Sequence, residues 1–222
     1  MKTQIQRAIA SVLFLSLVFL VNVNAGSLLD PPTGKVIGKV KLAGANGQVS
    51  SKPELLVSAK GGIQNVVITI EGIEGPFKAD PIEISQESKT YIPRISVSMV
   101  GNDLTFLNHD AMLHNVHGYS GEKTLYNFAM PKFLKKKVTK LDEAGLRRVR
   151  CDVHQEMIAY VVVAENPFYA ITNEAGLFQI DSLPAGTYKI KAWHETLGES
   201  EQTVTITPDK KTAVIFELKS QK

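Results

Sequence analysis

Residues Thr203-Val204-Thr205-Ile206-Thr207 alternate polar and apolar side chains at every step, and Tyr188-Lys189-Ile190-Lys191-Ala192-Trp193 does nearly the same. A period of two puts one face of a strand on a core and the other in water. A helix needs apolar positions every three to four residues. Strand-like runs of this kind cover 35–42, 65–71, 94–100, 103–108, 147–151, 158–164, 188–193, 202–207 and 213–218. Clusters of Gly and Asn punctuate them, as in Ala43-Gly44-Ala45-Asn46-Gly47-Gln48 and Asn173-Glu174-Ala175-Gly176. No segment keeps a helical period over three turns. The chain is therefore expected to be all-β, with many short strands stacked as β-sandwiches.

A break falls near Glu165-Asn166-Pro167. The expected division is 26–166 for a first unit and 167–222 for a second, with no tandem repeat and no low-complexity linker between them. The strands at 35–42 and 65–71 fit either unit, and sequence alone leaves their ownership open.

Chemistry concentrates in Cys151-Asp152-Val153-His154-Gln155-Glu156-Met157, which holds the one cysteine of the chain. His154 follows at +3 and Met157 at +6, while a second histidine lies upstream in Leu113-His114-Asn115-Val116. In a tight loop after a strand, residues three apart can face one point. One thiolate, two imidazoles and a thioether form a soft donor set that suits copper in an electron-transfer site. Zinc is the runner-up, since Cys-His-His can hold it although a thioether is a poor ligand for it.

The compartment sharpens this reading. Lys2 and Arg7 precede an apolar run from Ala8 to Val21, and Val23-Asn24-Ala25 offers a cleavage site before Gly26. Residues 1–25 thus read as an export signal, too short in its apolar run to span a bilayer. Periplasmic localisation is expected, with an uncleaved N-terminal anchor as the alternative and no transmembrane span in the mature chain. An odd cysteine in an exported protein needs a use: pairing with another chain, burial, or metal binding. The mature chain would carry 23 Lys and Arg against 22 Asp and Glu, which is no footprint for nucleic acid.

The residues from Phe106-Leu107-Asn108-His109-Asp110 through His114-Asn115-Val116 to Cys151-x-x-His154-x-x-Met157 resemble the cupredoxins, with the short ligand-loop spacing of amicyanin. The resemblance implies a Greek-key β-sandwich holding one type 1 copper. His114, Cys151 and His154 would be equatorial ligands and Met157 axial. Asn115 would tie the two ligand loops together. Gln155 stands where such loops commonly carry proline, and acidic Glu156 adjoins Met157. Residues 169–178 and Leu183-Pro184-Ala185-Gly186-Thr187-Tyr188 resemble a carboxypeptidase-regulatory-like, or prealbumin-like, β-sandwich. That fold says nothing about activity. The whole is similar to exported bacterial methylamine-utilisation-like cupredoxin proteins, a label from which no pathway follows.

Three histidines remain. His117 is a rival to His114 as first ligand. His109 reads as a loop residue, and His194 as a structural one hydrogen-bonded near Glu195. Between 131 and 150 stand eight Lys and Arg against Asp142 and Glu143. Lys135, Lys136 and Lys137 in this stretch could steer an acidic redox partner toward the copper loop; the alternative is a solvated face. HExxH, GxSxG and P-loop patterns do not occur, and five histidines are too few for a trinuclear copper cluster. The expectation is an electron carrier and no enzyme. A copper-delivery protein and an envelope interaction module are the alternatives.

Overall fold

The computed structural model describes residues 31–44, 49–78 and 80–219. The stretch 1–25 read as an export signal lies outside them. The described residues form strands and no helix, so none among them is long and apolar enough to cross a membrane as a helix. In chain order the first six strands are β1 (Thr33–Leu42), β2 (Ser50–Lys52), β3 (Leu55–Val57), β4 (Val67–Glu71), β5 (Ile82–Glu87) and β6 (Thr90–Ile92). There follow β7 (Ile95–Met99), β8 (Asp103–Asn108), β9 (His114–Ser120), β10 (Lys123–Met130), β11 (Lys136–Lys140) and β12 (Gly145–Arg150). The last six are β13 (Ile158–Ala164), β14 (Tyr169–Ile171), β15 (Leu177–Pro184), β16 (Gly186–His194), β17 (Gly198–Ile206) and β18 (Lys211–Leu218).

Two pairs of sheets result. The first pair joins β10-β9-β12-β13-β7 to β11-β8-β5-β6. Its core is one cluster including Ile84, Tyr91, Leu104, Phe106, Val116 and Val161. The second pair joins β15-β1-β18 to β14-β4-β16-β17, around Val36, Ile68, Phe178, Ile190 and Phe216. Each is a sandwich, as the alternation predicts. In β13 (IAYVVVA) every second side chain is buried, and in β18 (KTAVIFEL) Val214, Phe216 and Leu218 point inward.

Hydrogen bonding decides the ownership of the N-terminal strands. β1 runs antiparallel to β15 and parallel to β18, and β4 lies between β14 and β16. Both therefore belong to the C-terminal sheets. The sheets of the first sandwich draw on residues from Ile82 to Ala164 only, not on the whole of 26–166. Period-two patterning could not give this result. It marks a strand's inner face but not its partner.

The two sandwiches touch along one seam. Arg94, just before β7, donates Nε and Nη2 to the two carboxylate oxygens of Glu195 at 2.7 and 2.6 Å. Tyr160 on β13 packs its ring 5.5 Å from that of Trp193 on β16. Phe106, fully buried at the centre of the first sandwich, lies 6.0–6.4 Å from the rings of Tyr91, Tyr126 and Phe128. A ring of this size contributes about 1.5–3 kcal/mol by leaving water. Gly118 is required on the neighbouring strand β9: a Cβ there would overlap the Tyr126 ring.

Candidate metal centre

β9 begins with His114, and its side chains alternate strictly. His114, Val116 and Gly118 face the core, while Asn115, His117 and Tyr119 face outward. The period of two thus separates the two candidate first histidines. His114 is fully buried. His117 instead lies beside Asp152, Tyr119 and Thr124 at 2.7–3.1 Å.

Cys151 is the first residue after β12, and its side chain continues that strand's inward alternation into the core. A tight loop follows. The Met157 N–H donates to the His154 carbonyl at 3.0 Å, and the Cys151 N–H donates to the Met157 carbonyl at 3.3 Å. This closes residues 151–157 on themselves. His154, half-buried, turns back over the site.

The ligand atoms of His114, Cys151 and His154 lie within 4.8 Å of one another. The two imidazoles face through Nδ1 atoms 3.0 Å apart, their rings tilted by 60°. The Cys151 sulfur stands 3.8 Å from His154 Nδ1. One facing nitrogen must carry a proton for that contact to be a hydrogen bond. A cation could take the proton's place, because both nitrogens and the sulfur aim at one point. Met157 is fully buried in the same core cluster as Cys151.

Asn115 bridges the two loops. Its Nδ2 donates to the Asp152 carboxylate at 2.8 Å, its Oδ1 accepts the Asp152 N–H, and its own N–H points at the Cys151 sulfur at 3.5 Å. Burial works to raise the Asp152 pKa, but the Asn115 and His117 contacts outweigh it and hold the carboxyl below its usual range.

Four residues that the sequence reading did not assign surround this centre. The Asp110 carboxylate meets His114 Nε2 at 2.8 Å. It also accepts the Ser88 and Lys89 N–H groups at 2.7 and 3.0 Å. Burial acts to raise its pKa, and these donors, with His114, more than offset that. Asn108 accepts the Asp110 N–H and donates to the Met130 carbonyl at 2.9 Å. The Tyr91 hydroxyl reaches the carbonyls of Asn115 and Arg150 at 2.9 and 3.2 Å. Burial, then the nearby Cys151, pushes its pKa upward, so it remains a donor. The fourth is Asp152.

The other assigned residues fall outside the donor cluster. Lys135, Lys136 and Lys137 are exposed, the last two on edge strand β11. Lys135 Nζ reaches the Asp110 carbonyl at 3.4 Å, which brings one end of the basic stretch to the His114 loop. Lys137 lies over the Phe128 ring at 5.7 Å. His109 is exposed, 3.9 Å from Glu87. His194 is buried and bonded to Thr196, not to Glu195, whose carboxylate is taken by Arg94.

The His-Cys-His cluster thus lies between the ends of β9 and β12, at one end of a two-sheet β-sandwich. Among solved structures, part of the chain is similar to amicyanins. A Cu(I) form of an amicyanin variant is 31% identical, covering 43% of this chain and 97% of that one at a TM-score of 0.34. A second reduced variant is 32% identical with the same coverage and TM-score. Amicyanin from Paracoccus versutus is 23% identical over 43% of this chain and 96% of that one, also at 0.34. No protein-family model matches the chain, and no curated protein matches it.

Proposed function

We propose that this chain is an exported type 1 (blue) copper protein that acts as an electron carrier and catalyses no reaction of its own. The observation that carries the reading is the convergence of His114 Nδ1, His154 Nδ1 and Cys151 Sγ on one point. The donor set fits copper: one soft thiolate and two imidazoles in a mostly buried pocket. His114, Cys151 and His154 would hold the ion, with Met157 as the weak axial donor. Bound copper would supply one-electron exchange between Cu(I) and Cu(II).

The protein's part is to hold the ligands still. Cys151 and His114 sit at strand ends in the five-stranded sheet, tied by Asn115 and by the closed 151–157 loop. Ligands that cannot move keep one arrangement for both oxidation states, and electron exchange is then fast. His154 is less buried than the other two and offers the edge at which an electron can enter or leave. Leu113 and Val153, which directly precede His114 and His154, are both exposed. The basic 131–150 stretch, which reaches the His114 loop through Lys135, favours an acidic redox partner.

The export reading rests on residues 1–25 and places the carrier in the periplasm. Electron self-exchange of the copper-loaded protein tests the carrier function. Line broadening of mixed Cu(I)/Cu(II) samples that scales with protein concentration is expected. Copper that binds but exchanges no electrons would favour a delivery protein. A chain that binds no copper would favour an envelope interaction module.

A further inference from the structure

The hairpin of β5 and β6 carries no ligand, yet both of its ends reach the ligand-bearing segments. At its tip, Ser88 and Lys89 both have positive φ, 51° and 58°. That pair of left-handed residues makes a tight turn that aims two successive N–H groups outward. Both are accepted by Asp110, on Oδ1 at 2.7 Å and Oδ2 at 3.0 Å. The same Oδ2 meets His114 Nε2 at 2.8 Å. A carboxylate at Nε2 fixes the proton there, and so leaves Nδ1 bare toward Cys151 and His154. At the hairpin's stem, the Tyr91 hydroxyl lies between the carbonyls of Asn115 and Arg150. Those residues immediately follow His114 and precede Cys151. The Tyr91 ring is fully buried against Phe106, so the hydroxyl has little freedom to leave.

We propose that the β5–β6 hairpin is the clamp of the metal centre, with Asp110 and Tyr91 as its positioning residues. Through Asp110 the tip sets the orientation and tautomer of His114. Through Tyr91 the stem sets the spacing between the first ligand strand and the cysteine. Neither residue touches the donor atoms of Cys151 or His154 directly. This inference rests on the copper reading for its effect on the ion, but the tautomer and the spacing are properties of the protein alone.

The test compares wild type with Tyr91→Phe and Asp110→Asn. In the protein without added metal, long-range proton–nitrogen spectra should show His114 protonated at Nε2 and bare at Nδ1. Asp110→Asn should mix the two tautomers. Tyr91→Phe should weaken hydrogen-exchange protection at His114 and Cys151 but not in the C-terminal sandwich. On titration with Cu(II), each variant should bind about tenfold or more weakly than wild type. Asp110→Asn should also raise the reduction potential, because a less polarised imidazole donates less to Cu(II). A wild-type His114 protonated at Nδ1 overturns the Asp110 role without any variant. Unchanged protection and unchanged affinity in Tyr91→Phe overturn the Tyr91 role. A wild type that binds no copper, yet shows the expected tautomer and protection changes, sinks the copper reading and leaves the clamp standing.

Discussion

His114 and His154 face each other through Nδ1 atoms 3.0 Å apart, although forty residues separate them in sequence. The separation is bridged by β9 pairing with β12, whose last residue, Arg150, lies opposite His117. His114 then stands at one strand end and Cys151 at the next. His117, on the opposite face of β9, cannot substitute for His114 without a shift of register. His114→Ala should therefore abolish tight copper binding, while His117→Ala should leave affinity within about threefold, the range of a surface substitution. Isothermal titration with Cu(II) checks both. Equal losses from the two changes would contradict the assignment of His114.

Met157 closes the ligand loop through its backbone and buries its side chain beside Cys151. Met157→Leu keeps the volume and removes the sulfur. Copper should stay bound, and the reduction potential should rise, because a thioether donates more to Cu(II) than to Cu(I). Protein-film voltammetry reads the shift. An unmoved potential would make Met157 a packing residue only.

His194 offers a stability test remote from the metal. Its pKa is lowered from 6.5 to about 4 by burial. The unfolded chain binds this proton first as pH falls, so the native state loses stability between about pH 6.5 and pH 4 and regains it above that window. Unfolding free energies from denaturant titrations at pH 7 and pH 4.5 should differ by about 2–3 kcal/mol more in wild type than in His194→Gln. An identical pH dependence in both would show that folding leaves the His194 pKa unshifted.

The basic stretch makes a kinetic prediction. Replacing Lys135, Lys136 and Lys137 by Gln should slow association with an acidic redox partner at low salt and flatten its salt dependence. Exposed charges are screened over about 10 Å at 0.1 M and about 3 Å at 1 M. Stopped-flow rates across that range test it, with the dissociation rate expected to change less. Full salt dependence in the triple variant would reduce the stretch to a solvated face.

Much of this architecture was legible in single strands. The runs at 103–108 and 158–164 coincide with β8 and β13, because alternation marks a half-buried strand directly. β10 and β11 were not read. Their burial patterns, eeiieieB and eeeie, carry almost no alternation to read. The pairing of β1 with β18 spans nearly the whole chain, and no local pattern encodes a parallel partner at that distance. At the site, Cys151, His154 and His114 announced themselves by residue type. Asp110 and Tyr91 did not, because an aspartate in a loop and a tyrosine in a strand are ordinary until their partners are known. Neither the Ser88–Lys89 turn nor the Arg150 carbonyl has a sequence signature.

The most direct measurement is the visible spectrum of the protein loaded with one equivalent of Cu(II). An intense thiolate-to-copper charge-transfer band that makes the solution blue is expected, as is its loss in Cys151→Ser, where a hydroxyl is a far harder donor. A colourless wild-type protein, or a band that survives in Cys151→Ser, would contradict the copper reading.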